Sequence, residues 1–408
     1  MSSAANPIKV VVVGGSYAGI NVITQLLSSL KSSKKTIHIT LVEKNDARFH
    51  RLGAFRALVD EEYGNKVWIP YTDLFPKGSP HRIIKDSLAQ VYHHHVVLQS
   101  GTTVPFDYLV LCTGSSNSAT TEYTASSSSA EAISITSKAR AELTKSKSVV
   151  VVGGGSSGVE LSGEIKNAFP DKKVTLIHAT SALVDYPGYA DSLKSSSLKH
   201  LQGLGVNVVL NERAHIEGLD YEHPIRNGPT TIRLTSGQTI ESDMQFYTVG
   251  IKINTSYIST LKPEGQDNFD PSTLVHQDTH VIKVRKTLQL ANDSFPHIFA
   301  LGDCADFSKV PTAAACSSTG PTAAKNLVAL IEASASTSTS DIRAAEKTAK
   351  LAEASGSPAF MILATGPKTG VTSLPLFGSN FGNFFSKLIK SKDLMLSSII
   401  AGMKTSTK

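Results

Sequence analysis

Cysteine is scarce in this chain of 408 residues, and its three cysteines, Cys112, Cys304 and Cys316, stand far apart. That spacing excludes a disulfide framework and a cysteine-built metal site, and it fits a reducing compartment. The chain contains no C-x-x-C or C-x4-C pair, which argues against relaying electrons through a redox-active disulfide. Uninterrupted apolar runs of the ~20 residues that span a bilayer are missing too. Position 2 is Ser2, not the glycine that N-myristoylation requires. The core begins by Ile8, so no cleavable leader is expected. A net charge of +6 is a small excess for this length, and no nucleic-acid partner is expected from it. With 40% hydrophobic residues, the chain can build two or three ordinary domains.

Against these absences stand two glycine-rich turns, each launched from a run of valines. The first reads Val11-Val12-Val13-Gly14-Gly15-Ser16-Tyr17-Ala18-Gly19. Ile8 to Val13 has the β-branched character of a strand buried on both faces. Beyond Gly19, the residues Ile20, Ile23, Leu26, Leu27 and Leu30 recur at helical spacing. Strand, turn and helix together aim backbone N–H groups and a helix dipole at a pyrophosphate. Gly14 suits the tight turn and Gly19 lets the helix approach the sheet, while Ser16 replaces the second fingerprint glycine. The next strand, Ile37 to Val42, ends at Glu43 beside Lys44. An acid about 20 residues past such a turn is placed to hold a ribose hydroxyl.

The second turn, Val149-Val150-Val151-Val152-Gly153-Gly154-Gly155-Ser156-Ser157-Gly158, satisfies G-x-G-x-x-G with Gly153, Gly155 and Gly158. Its following strand, Val174 to Ile177, ends at His178 with no acid in the ribose position. Both NADH and NADPH therefore stay open as ligands. Two such turns with these flanks imply two dinucleotides, and a protein holding two usually passes electrons between them.

The organisation repeats itself. Tyr108 to Cys112 reads as a strand ending in Thr113-Gly114, and Gln245 to Val249 ends in Gly250 after Thr248. The echo suggests two related units, one inserted in the other. Ser115 to Thr136, rich in Ser, Thr and Ala, reads as a crossover loop or hinge, and Val281 to Leu290 as strands. Ile298 to Cys304 is an apolar strand ending in Gly302-Asp303, where open α/β sheets bind ligands. Pro311 to Leu330 reads as a helix interrupted at Gly320-Pro321, and residues 333–357 include a loop. His93-His94-His95 is set aside as a metal site, because successive strand residues face opposite ways.

These motifs together resemble the flavoproteins of the pyridine-nucleotide–disulfide-reductase fold. Within that group the chain resembles the apoptosis-inducing-factor-like branch, which includes ferroptosis suppressor proteins and is related to type II NADH dehydrogenases. The carriers are the turn from Val13 to Gly19, Phe49-His50 through Arg56-Ala57, Leu111 to Gly114, Gly153 to Glu164, Ile298 to Cys304 and Lys390 to Leu394.

The resemblance implies an α/β fold of two Rossmann-like domains, the second inserted in the first, plus a small C-terminal α+β domain. The FAD-binding domain is expected over 1–115 and 250–335, the NAD(P)H-binding domain over 116–249 and the C-terminal domain over 336–408. It further implies FAD on Gly14 to Gly19, with Glu43 at its adenosine ribose, Asp303 at its ribityl or phosphate region and Arg56 as a further contact. NAD(P)H is implied on the second turn, with Glu160 near the nicotinamide and Lys390 near the flavin.

The activity so implied is hydride transfer from NAD(P)H to FAD and on to a small acceptor, a quinone first. Two alternatives stay open: a small iron–sulfur protein as acceptor, and a slow-turnover redox sensor of the apoptosis-inducing-factor type. The expected location is cytoplasmic, with a peripheral place on a membrane or lipid droplet left open. The C-terminal residues Phe384, Phe385, Leu388, Leu394, Ile399 and Ile400 intermix with Lys387, Lys390, Lys392 and Lys404. They suit either a membrane surface or packing on the two nucleotide units.

Overall fold

The computed structural model describes residues 6–31, 33, 35–117, 128–215, 223–307, 313–355, 361–374, 378–379 and 386–403. Strand β1 (Ile8–Val13) is buried at every position but Lys9 and feeds helix α1 (Tyr17–Leu30). β2 (Ile37–Glu43) returns parallel to β1. β3 (Ala47–Phe49), α2 (Ala54–Val59), α3 (Glu61–Gly64) and β4 (Trp68–Pro70) follow, with β3 and β4 paired antiparallel. β5 (Arg82–Lys85) closes one edge of the first sheet, and β6 (Leu88–Val91), β7 (His95–Leu98) and β8 (Thr103–Pro105) form a separate antiparallel meander. β9 (Tyr108–Leu111) then enters the sheet beside β1.

The chain leaves this unit along β10 (Ser115–Asn117). α4 (Ser129–Lys145) leads to β11 (Ser148–Val152), α5 (Ser156–Ala168), β12 (Lys173–Ile177), α6 (Asp191–Gly203) and β13 (Asn207–Val209). β14 (Ala214–His215), β15 (Ile225–Leu234) and β16 (Thr239–Tyr247) complete a sheet ordered β13-β12-β11-β16-β15-β14. β17 (Ile251–Ile253) brings the chain back, paired antiparallel with β10. β18 (Ile298–Ala300) joins the first sheet, whose order is β18-β9-β1-β2-β5 with every pairing parallel. Parallel strands buried on both faces need apolar runs, which the valine-rich β1 and β11 supply. Helices α7 (Ala313–Ala333) and α8 (Thr339–Thr348), the hairpin of β19 (Met361–Gly366) and β20 (Thr369–Leu374), and α9 (Leu396–Met403) finish the chain.

Four sequence readings need correction. The segment read as a loop from Ser115 to Thr136 already contains β10 and the start of α4, whose N-cap Ser128 accepts the Glu131 N–H at 3.2 Å. Gly320-Pro321 does not interrupt α7, although an interior proline costs a helix ~3 kcal/mol. Packing wins here: Ala323, Ala324 and Leu327 are fully buried, and a Cβ on Gly320 would stand 2.6 Å from Asn21 Cβ on α1. Val281 to Leu290 forms isolated bridges, Val275 to Ile282 and Val284 to Leu290, and not strands. His93 and His94 lie in the turn between β6 and β7, so alternation along a strand does not govern them. Their rings stack on each other at 4.6 Å and on that of His297 at 4.9 and 4.8 Å between centroids. The ligand atoms of these three histidines lie within 4.8 Å of one another. Both ring nitrogens of His93 are engaged, with the Glu264 N–H and with Thr339 Oγ1, so the group is built as a stack.

A dinucleotide cradle and a buried junction

Gly14 has φ +103°, and a Cβ there would stand 2.2 Å from the Cys112 carbonyl oxygen. At Gly19 a Cβ would stand 1.9 Å from the Gly14 carbonyl oxygen, so β1, the turn and α1 approach closely only with glycine at both places. Ser16 is the N-cap of α1 without a side-chain capping bond, and the first turn carries no acid. Those N–H groups face a cleft lined by Gly14 to Ala18, Glu43, Lys44, Thr113, Gly114, Gly302 and Asp303. The Glu43 carboxylate accepts the N–H groups of Gly15 at 2.6 Å and Asn45 at 3.0 Å. Thr113 Oγ1 lies 2.7 Å from the Asn254 carbonyl oxygen, and Ser115 Oγ donates to Asp303 at 2.7 Å. Burial lowers the Lys44 pKa.

The second turn repeats the geometry. Gly153 has φ +112°, and a Cβ on Gly158 would stand 1.8 Å from the Gly153 carbonyl oxygen. Gly155 caps α5 without a side-chain bond, and the Ser156 N–H donates to Tyr186 Oη at 3.0 Å. Thr248 Oγ1 donates to the carbonyls of Val152 and Gly153, tying β16 to the turn. Gly250, at φ +81°, starts the return to the first unit and is exposed.

Arg56 stands away from the first turn. Its guanidinium is 3% exposed and makes a bidentate pair with Glu164 of α5, 2.6 Å on each arm, and a 3.2 Å bond to the Ser391 carbonyl. Burial pushes the Glu164 carboxyl up, and the Arg56 contact opposes that push. One α5 turn earlier, Glu160 accepts from Lys390 at 2.6 Å and from the Ala364 N–H at 3.0 Å. Lys390 also donates to the Ile362 carbonyl at 2.8 Å. Lys390 and Glu160 are thus brought together, at the meeting of α5 with the C-terminal hairpin.

A chain of hydrogen bonds extends this junction. The Leu52 N–H donates to Tyr17 Oη, which lies 3.0 Å from His50 Nδ1, and His50 Nε2 lies 2.9 Å from the Leu394 carbonyl. The carbonyl fixes the proton on Nε2, so Nδ1 accepts from Tyr17. Burial pushes Tyr17 up to about 12 and His50 down to about 4, keeping both neutral. Ser391, Leu394 and Leu396 therefore pack inward and Lys390 reaches α5, while Leu388, Ile389 and Met395 stay exposed. Phe384, Phe385 and Lys404 lie outside the described residues.

The sequence reading missed Arg48. This arginine of β3 is 4% exposed, lies over the Tyr17 ring at 4.7 Å, and its Nε has no hydrogen-bond partner. Burial lowers its pKa. A buried cation with an idle donor, beside a helix start whose N–H groups are uncapped, fits a phosphate-bearing cofactor. The signal was available: a lone arginine between Ala47 and Phe49, five residues past Glu43.

Two strand–glycine–helix turns of this kind, the first opening on a cleft, define a flavoprotein that works with two dinucleotides. Residues 8–325 match the pyridine nucleotide-disulphide oxidoreductase family, and the chain belongs to it. It is 29% identical over 408 residues to apoptosis-inducing factor homolog B of Dictyostelium discoideum, covering 96% of each chain. It is 29% identical over 318 residues to human ferroptosis suppressor protein 1, covering 75% of this chain and 76% of that one. The fold is like that of NDH2 from Plasmodium falciparum, solved in complex with NADH, at TM-score 0.66, 13% identity and 97% coverage of both. The protein is an FAD-dependent oxidoreductase that takes NAD(P)H as substrate.

Proposed function

We propose that this chain reduces a quinone at the expense of NAD(P)H. The observation that carries the reading is the pair of glycine turns, each closing on a helix whose N-cap makes no side-chain capping bond, with two ion pairs on one helix, Arg56–Glu164 buried and Lys390–Glu160 half-buried. FAD supplies a hydride acceptor that hands electrons on. The protein's part is placement. Gly14 to Ala18, Glu43, Arg48 and Asp303 hold one dinucleotide, and Gly153 to Gly158 the other. The ion pairs Arg56–Glu164 and Lys390–Glu160 fix α5 against the first unit and the C-terminal segment. The Lys390 ammonium is the cation assigned to the reaction centre, where it stabilises developing negative charge.

Cys112, Cys304 and Cys316 are free and buried, and burial raises all three thiols. Unreactive thiols favour direct transfer to a small molecule over a thiol relay. The likeness to ferroptosis suppressor protein 1 supports the quinone. We place the protein in the cytoplasm, touching membranes peripherally through exposed Leu388, Ile389 and Met395 beside Lys387 and Lys392.

Anaerobic stopped-flow absorbance tests the activity. Bleaching of the flavin band by NADH or NADPH, then recovery on adding ubiquinone-1, is the expected result. Bleaching with recovery only on adding a ferredoxin would replace the quinone with an iron–sulfur acceptor. Co-sedimentation with anionic liposomes, lost in a Leu388→Ser/Ile389→Ser variant, tests the membrane contact.

A further inference from the structure

The loop after β12 crosses the second glycine turn. Its near end is tied down: Leu183 and Val184 are buried, and the Val184 N–H donates to the Gly154 carbonyl at 2.9 Å. Val184 holds φ +46°, a left-handed conformation that β-branched residues rarely adopt, and Gly188 holds φ +87°. Between these bends stand Asp185, Tyr186 and Pro187, and Tyr186 reaches the start of α5. Lys194 of α6 pairs with Asp185 at 2.7 Å, and the Tyr189 ring meets that of Tyr186 edge-on.

Tyr186 is half-buried, and its hydroxyl sits where the turn does its binding. The Ser156 N–H, the first of α5, donates to Tyr186 Oη at 3.0 Å, and Ser156 Oγ lies 3.4 Å from the same oxygen. A Cβ on Gly155 would stand 2.9 Å from Tyr186 Oη. Among the described residues, only this phenol and Gly155's own chain neighbours come within 4 Å of that point. The second fingerprint glycine keeps such space open so that the backbone meets a pyrophosphate. The first N–H groups of the helix serve the same anion. Here one neutral hydroxyl takes both places.

The first turn is built otherwise. A Cβ on Gly15 would stand 2.5 Å from Tyr71 Oη, yet that hydroxyl is a donor, to the Gly15 carbonyl at 2.8 Å. Tyr71 is buried and fixed there, with no claim on the N–H of residue 16 as Tyr186 has on that of Ser156.

We propose that Tyr186 sets the affinity for NAD(P)H by competing with its phosphate for the Ser156 N–H. The inference rests on the proposed placement of NAD(P)H at the second turn and adds the residue that must yield to it. One N–H cannot serve phenol and phosphate at once. The phosphate oxygen prevails because its charge makes the stronger bond at a helix N-terminus, but its gain is reduced by the bond it breaks. FAD stays bound through every cycle, whereas the nicotinamide nucleotide leaves after each hydride transfer. A competitor therefore suits the second turn and not the first.

Isothermal titration of the oxidised holoenzyme with ADP-ribose tests this, because ADP-ribose carries the pyrophosphate without the nicotinamide. Adenosine, which lacks the phosphates, is the control. In Tyr186→Phe, with flavin content and circular dichroism unchanged, the Kd for ADP-ribose should fall about fivefold, the scale of one hydrogen bond that no longer has to be broken. Tyr186→Ala should lower it at least as far, and adenosine should bind both variants as it binds the wild type. The second-order rate of flavin bleaching by NADH or NADPH at low concentration should rise by the same factor.

An unchanged Kd for ADP-ribose in Tyr186→Phe would overturn the proposal. A raised one would also overturn it, making the hydroxyl a ligand of the nucleotide and not its competitor. An equal gain for adenosine would do the same, since the phosphates would then be irrelevant. If the wild-type holoenzyme binds no ADP-ribose, the placement of the nucleotide at the second turn fails first and takes this inference with it, and that titration is read before either variant is made.

Discussion

The two glycine turns differ at one corresponding point. Val13 pairs with Val42 and Val152 with Ile177, so Glu43 and His178 each stand one residue past the same register position. Glu43 accepts the Gly15 N–H at 2.6 Å, and His178 Nδ1 accepts the Gly154 N–H at 3.0 Å. One acceptor is a carboxylate. The other is an imidazole that burial holds below its usual pKa, with Thr180 Oγ1 2.9 Å from its Nε2. The backbone is served equally well in both places, so the side chain is free to differ for the ligand's sake. A negative charge beside the ribose rejects a 2′-phosphate, and a neutral ring does not.

The comparison breaks most severely at the glycines against which the helices close. In Gly19→Ala the new Cβ meets the Gly14 carbonyl, and in Gly158→Ala it meets the Gly153 carbonyl. The first variant should be purified without flavin, and the second should keep its flavin but not bleach with NAD(P)H. Loss of flavin from both, read by absorbance, would show that the turns are not independent.

The next effect lies where the units meet. Arg56→Ala strands Glu164, 2% exposed, and should cost about 3–5 kcal/mol in denaturant unfolding. Arg56→Met with Glu164→Met should recover most of that loss, whereas a double variant as weak as the single one would assign Arg56 a role beyond the pair.

Acid should separate the units by a smaller amount. His297 is fully buried in the first unit and held down to about 3, and His50 to about 4, in each case chiefly by burial. Below about pH 6.5 the unfolded chain protonates these rings while the folded chain does not, so stability is full above that pH. It is lost as pH falls towards the folded values, and for His297 the loss at pH 5 is about 2 kcal/mol. Hydrogen exchange at pH 5 against pH 7 should show the first unit loosening more than the second.

The smallest change should follow from His178→Glu, which copies the first site into the second. The ratio of NADH to NADPH use should move about tenfold towards NADH, measured as kcat/KM for flavin reduction.

Much of this was legible in the residues. Valine runs, glycine spacing and the acid that ends β2 defined two strand–turn–helix units because each of those requirements is local. What stayed hidden depends on distant contacts. Arg56 sits in a segment that suggests a cofactor contact, yet its partner is 108 residues away on α5. Pro321 reads as a break because helix propensity is local, while the burial of α7 against α1 is not. His94 and His297 meet only through the fold. The start of α8 was readable after all: Ser338 and Asp341 form a cap at the usual spacing.

The antiparallel pairing of β10 with β17 carries a consequence of its own. Ser115 lies across from Ile253, and Asn117 from Ile251, so the chain departs and returns at neighbouring points. Paired strands run ~4.8 Å apart, a gap that a few residues can bridge. The whole 133-residue excursion between Asn117 and Ile251 is thus a cassette with its ends side by side. Gene rearrangement can lift out or exchange such a cassette without reconnecting the host sheet, and a laboratory graft of another nucleotide unit would join at the same two strands.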